Sequence, residues 1–169
     1  MKYFIIVLLV FVASTNIIAQ SNTEIIQNEI DQTVWKPFKN AFESLDAETL
    51  NAIYAKKVLR VTPEGVDTKQ IFKYKNIERF KQYKKEGLMI TLDFWFDSRH
   101  TNENTSYEVG FFRITTIANK NIQYSYGQFH IVLQKIGRSW RITQDWDSDH
   151  INGKKINAQD FQVNEPLRF

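Results

Sequence analysis

Two hydrophobic periods divide the chain near residue 87. On the N-terminal side Ile26, Ile30, Val34, Phe38 and Phe42 recur every four residues, a continuous helical stripe behind the capping box Ser21-x-x-Glu24. Pro37 lies inside that stripe and predicts a kink, or a restart near Trp35. Asp46 is placed to cap a second helix carrying Leu50, Ile53 and Tyr54. Val58–Thr62 reads as a short strand closed by a Pro63-Glu64-Gly65 turn. Asn76 is taken as the cap of a third helix, with Ile77, Phe80 and Tyr83 inward and Gly87 ending it.

Beyond Gly87 the period becomes two. Ile90, Leu92, Phe94 and Phe96 share one face, and Thr91, Asp93, Trp95 and Asp97 share the opposite, solvent-side face. His100–Thr105 makes a hairpin loop, Tyr107–Ile117 returns, and Ile122–Ile136 and Ser139–Asp147 form two further strands. Helices first and antiparallel strands afterwards predict an α+β fold, the helices packed on one face of a curved sheet. Gly137-Arg138 has the glycine-first signature of a two-residue type II′ turn, so Ile136 faces Ser139. Counting back along that register puts Leu133 opposite Ile142, Phe129 opposite Trp146 and His130 opposite Asp145. The core face becomes Phe129, Ile131, Leu133, Trp140, Ile142 and Trp146. Gly127 sits where apolar parity changes and predicts a bulge that brings Tyr124 and Tyr126 onto the core face.

The ends and the composition set the context. Lys2 followed by the apolar run Tyr3–Ala13 and by Ala19 reads as an export signal over 1–19, too short for the roughly 20 residues that span a bilayer. The expected organisation is a signal at 1–19, one domain over 20–150 and a polar tail over 151–169, in a periplasmic or secreted protein. The 169 residues hold no cysteine, which excludes disulfides, thiolate catalysis and cysteine-ligated metals. An aromatic content of 14% with 24% charged residues excludes disorder. Most of the excess positive charge lies in 69–85, where seven Lys and Arg face only Glu78, either a solvated helix face or an anion-facing patch. The alternating aspartates from Asp145 to Asp149 lack the glycine and glutamate of a calcium loop, and no phosphate-binding loop exists, so no metal or cofactor is expected. Export without a base-reading module argues against nucleic acid.

The order of elements, the Leu45-Asp46-Ala47 cap, the Pro-Glu-Gly turn and the ending Gly137-Arg138-Ser139-Trp140-Arg141-Ile142-x-x-Asp145 resemble the nuclear transport factor 2 (NTF2)-like superfamily over about residues 24–149. Within it the likeness is to the small SnoaL-like and DUF4440 domains. That resemblance implies a cone, a strongly bent sheet around helices, with a pocket at its open end and frequent homodimers. It also implies functions ranging from isomerases and cyclases to non-catalytic binding modules. Trp35, Phe38, Tyr54, Phe94, Tyr126 and Trp146 are aromatics in excess of simple packing and are the candidate ligand-binding set. His130 with Asp145 is the candidate base and orienting carboxylate. The preferred function is binding of a small apolar or aromatic ligand. The alternatives are an isomerase, dehydratase or cyclase using that pair, and a dimerising domain without ligand.

Overall fold

The computed structural model describes residues 22–119 and 121–169. The expected export segment and the Ser21 cap lie outside them. Residues 22–30, a π-helical turn Asp31–Trp35 and the α-helical Lys36–Glu43 run on as one helix, α1. The four-residue recurrence of its stripe explains the wide turn. Each step of four overshoots an α-helical turn by about 40°, so a straight helix would rotate Phe42 away from Ile26. The π turn absorbs the excess, with the Lys36 amide donating to the Asp31 carbonyl five residues back. It ends just ahead of Pro37, which has no amide hydrogen to continue the ladder. Ile26, Ile30, Val34 and Phe42 are consequently all buried.

Asp46 caps α2 (Ala47–Ile53), accepting from the Thr49 amide at 3.0 Å and the Thr49 hydroxyl at 2.7 Å. Tyr54 opens strand β1 (Tyr54–Thr62) instead of ending α2, and a turn at Pro63-Glu64 leads into the short β2 (Gly65–Asp67). The third helix, α3 (Ile71–Glu86), starts five residues before the expected cap. Asp67 holds its first turn by accepting from the Phe72 amide at 2.7 Å, while Asn76 lies inside the helix and donates to Asn51. Ile77, expected inward, is exposed, and Phe72 and Phe80 form the buried face. Gly87 ends the helix in the left-handed conformation, φ 65°.

β3 (Met89–Thr101), β4 (Thr105–Ala118), β5 (Asn121–Ile136) and β6 (Ser139–Ser148) complete a six-stranded sheet of order β2-β1-β6-β5-β4-β3. All neighbours are antiparallel except β1 and β6. The helices fill its concave face, where Leu92, Phe94, Phe129, Ile131, Leu133, Trp140 and Ile142 meet Val34, Leu50 and Phe80. Ile136 does face Ser139 across Gly137, whose φ is 65°.

Two bulges reset the alternation of these strands. Between β3 and β4, Phe96 pairs with Gly110 and Ser98 with Val109, so Asp97 is an extra residue. Between β5 and β6, Leu133 pairs with Ile142 but Val132 with Gln144, so Thr143 is extra. No bulge occurs at Gly127. The register runs unbroken through Phe112↔Gly127 and Arg113↔Tyr126, leaving Tyr124 and Tyr126 on the outer face. The glycine answers a different need: a β-carbon there would lie 2.3 Å from the Phe112 ring.

The C-terminal segment wraps the β3 edge. It contains a small hairpin, β7 (His150–Ile151) with β8 (Lys154–Lys155), and a helical turn α4 (Ala158–Phe161). Trp95, expected to face solvent, is 4% exposed because this segment covers it. Its indole donates to the Phe161 carbonyl at 2.8 Å and stacks on Phe111 at 4.7 Å. Beyond α4, the Leu167 amide bonds the Phe94 carbonyl at 2.9 Å on the open side of the edge strand.

Candidate functional site

Between the helices and the concave sheet lies a cavity of about 320 Å³. Its inner wall is aromatic and aliphatic, formed by Trp35, Phe38, Phe94, Phe112, Phe129 and Ile131. Its outer end is polar, and four residues from two neighbouring strands dominate it: Tyr54 and Arg60 of β1, and Asp145 and Asp147 of β6. Parallel pairing sets Arg60 beside Asp145. One guanidinium nitrogen of Arg60 then bonds Asp145, and the other bonds Asp147 at 2.6 Å. Tyr54 donates its hydroxyl to the same Asp145 oxygen at 2.7 Å.

The electrostatics follow from this arrangement. Burial and the neighbouring Asp145 hold the Tyr54 hydroxyl well above its ordinary value, so it remains a donor. Burial opposes the Arg60 charge, but Asp145 and Asp147 outweigh it and raise the guanidinium further. Asp147 has less compensation. Burial pushes its carboxyl from 3.8 to about 6, with Arg60 pulling down and Asp145 adding to the rise. A carboxyl titrating near neutrality at the edge of an apolar cavity can give or take a proton there.

A second polar cluster lies behind Trp35, the one of its members that lines the cavity. Glu108 of β4 is fully buried and accepts from the Trp35 indole at 2.6 Å, Ser106 at 2.9 Å and Arg99 at 2.9 Å. Asp31, in the π turn of α1, takes the other edge of Arg99 at 2.7 Å. Burial raises the Glu108 carboxyl, against the pull of Arg99, Ser106 and Trp35. The cluster locks the Trp35 ring, which contacts Phe38, Phe94, Phe96 and Phe129 at centroid distances of 5.3 to 5.8 Å.

The expected site residues divide accordingly. Trp35, Phe38, Tyr54 and Phe94 line the cavity. Tyr126 instead packs on Phe161, outside the sheet. Trp146 also faces outward, because the Thr143 bulge moves it from opposite Phe129 to opposite His130, their rings 4.6 Å apart. The same bulge separates the expected pair: Asp145 pairs with Ile131 on the concave face, while His130 stays outside and bonds the Tyr107 hydroxyl at 2.6 Å. Arg60, Asp147 and the Glu108 cluster were not singled out from sequence. The alternation of Asp145 and Asp147 was visible, and the cation they share is Arg60, supplied by a strand 85 residues earlier.

No protein-family model matches the sequence, and no curated protein matches it either. Solved structures do. An NTF2-like protein with a cystatin-like fold from Novosphingobium aromaticivorans superposes with a TM-score of 0.65 at 12% identity, over 83% of this chain and 91% of that one. The chain has the NTF2-like fold. An NTF2-like protein of unknown function from Shewanella oneidensis gives 0.58 at 19% identity, covering 73% and 98%. A ketosteroid isomerase-like protein from Erwinia carotovora gives 0.51 at 14% identity, covering 72% and 96%. These superpositions fix the architecture, the NTF2-like helices on a bent sheet, and the low identities leave the site to be argued from its own residues.

Proposed function

We propose that the chain binds a small, largely apolar molecule in the cavity between helices and sheet. The observation that carries this is an aromatic pocket of about 320 Å³ ending in the Tyr54–Arg60–Asp145–Asp147 cluster, an apolar body with a few convergent polar groups. The apolar run at the N-terminus supports action outside the cytoplasm. Outward-facing Tyr107, His130 and Trp146 offer an aromatic patch for a homodimer.

Titration with 2-naphthol, followed by calorimetry and by thermal stabilisation, tests the binding. Saturable binding that disappears in Thr62→Trp, which fills the cavity mouth, is the expected outcome. Native mass spectrometry of protein from its own host then identifies any retained molecule. A chain that binds no arene at millimolar concentration and carries nothing from its host overturns the reading.

A second reading is favoured by Asp147 itself. Its carboxyl at about 6 faces the cavity, so it is the group to act as acid or base in an isomerase- or dehydratase-type reaction. His130, on the outer face, has no part in it. Retained affinity with lost turnover in Asp147→Asn is the result that distinguishes a reaction from binding alone.

A further inference from the structure

The cavity opens into a groove between α3 and the β1–β2 turn, and the two share Arg60, Thr62, Glu64, Phe72, Asn76 and Arg79. The basic run noted in the sequence enters here, because α3 presents Lys75 and Arg79 to the groove. Most of the charge around the mouth is already answered. Arg60 holds Asp145 and Asp147. Glu64 feels Lys75 and Arg60, and Asp67 is occupied by the backbone amides of Lys69 and Phe72.

Of the two arginines that line both the cavity and the groove, Arg79 is the unpaired one. Among the described residues no carboxylate pairs with it, whereas Arg60, Arg99 and Arg113 each have at least one. Its guanidinium lies over the Phe80 and Phe42 rings at 5.3 and 5.8 Å, and one nitrogen donates to Asn76 at 3.0 Å. Ring and amide fix the orientation of the guanidinium and leave its remaining donors free. A planar, pre-oriented fork of that kind matches a carboxylate.

We infer that the molecule bound in the cavity is an amphipathic organic acid, with its carboxylate against Arg79 at the mouth and its apolar body among the inner aromatics. The inference rests on the binding reading above and specifies its ligand class. The apolar inner wall argues for this direction: a carboxylate carried inward would be desolvated against Trp35, Phe94 and Phe129, where no cation among the described residues answers it. Size agrees too, since about 320 Å³ holds roughly ten water-sized groups, enough for a phenyl ring with a short alkyl chain.

A matched pair of probes tests it: 4-phenylbutyrate and its neutral amide, titrated by calorimetry into the full chain at pH 8. A charge-assisted bond predicts that the acid binds about ten- to a hundredfold more tightly. Added salt should weaken the acid and not the amide. In Arg79→Gln the acid falls to the affinity of the amide, and Arg79→Lys, which keeps the charge but loses the fork, lies between. Unchanged thermal midpoints in both variants verify that the fold is retained. Equal binding of acid and amide by the native chain, or a gap that survives in Arg79→Gln, overturns the anion subsite while leaving cavity binding intact. Binding of neither compound overturns the inference, and the 2-naphthol titration then decides separately whether the cavity reading stands.

Discussion

Asp147→Asn isolates the least compensated charge in the site. Burial holds this carboxyl at about 6 in the folded chain, against an ordinary value of 3.8. A raised carboxyl means that the native state binds its proton more tightly than the unfolded chain does. Stability from this group is therefore greatest below pH 4 and is lost as pH rises through 6. At ~1.36 kcal/mol per pH unit, the loss is about 3 kcal/mol by pH 8. Asparagine keeps the shape and can still accept from Arg60 through its amide oxygen, but it does not ionise. The difference in unfolding free energy between variant and native chain should therefore shift by about 3 kcal/mol in favour of the variant between pH 3.5 and 8, whatever constant offset the amide introduces. Urea titrations at half-unit pH intervals measure it, since slopes from groups that do not interact with Asp147 cancel in the difference. A difference that stays flat from pH 4 to 7 refutes the argument that burial outweighs Arg60 at this carboxyl.

Trp35→Phe removes a donor from fully buried Glu108 and should cost about 1–3 kcal/mol in urea unfolding, more than the small change in ring area would suggest. Gly110→Ala places a β-carbon 2.2 Å from the Trp95 carbonyl and 2.5 Å from the Phe129 ring, so soluble yield and thermal midpoint should fall sharply. The same substitution at Gly137, where a β-carbon meets nothing within 4 Å, should cost only the strain of its positive φ and provides the comparison. His130 is held below its ordinary 6.5 by partial burial, so its NMR titration midpoint should fall under that value. Stability assigned to the neutral ring is then lost as pH drops through that midpoint, and removal of the ring in His130→Ala should flatten this part of the profile.

Local rules carried much of the fold. The stripe from Ile26 to Phe42, the Asp46 cap, the Gly87 stop and the glycine-first turn at Gly137 each depend on a few adjacent residues, and each was legible. The start of α3 was missed because its stabilising carboxylate, Asp67, lies outside the helix and reaches in from the end of β2. Side-chain direction along the sheet was a harder matter. Alternation is reliable only until one residue is inserted, and a single insertion inverts every position beyond it. Thr143 inverts Asp145, Trp146 and Asp147, and Asp97 turns Arg99 inward to meet Glu108. The Thr143 bulge has no glycine to mark it, and the glycine beside Asp97 is Gly110 on the partner strand. Both were settled by partners distant in sequence, Arg60 and Tyr54 for the first, Trp35 and Asp31 for the second. The sequence by itself thus determined the elements, their order and the α+β class, because those follow from local periodicity and turn chemistry. Only the tertiary structure decided which charges enter the cavity, because a buried carboxylate is tolerable only where strands far apart in the chain bring it a counter-charge.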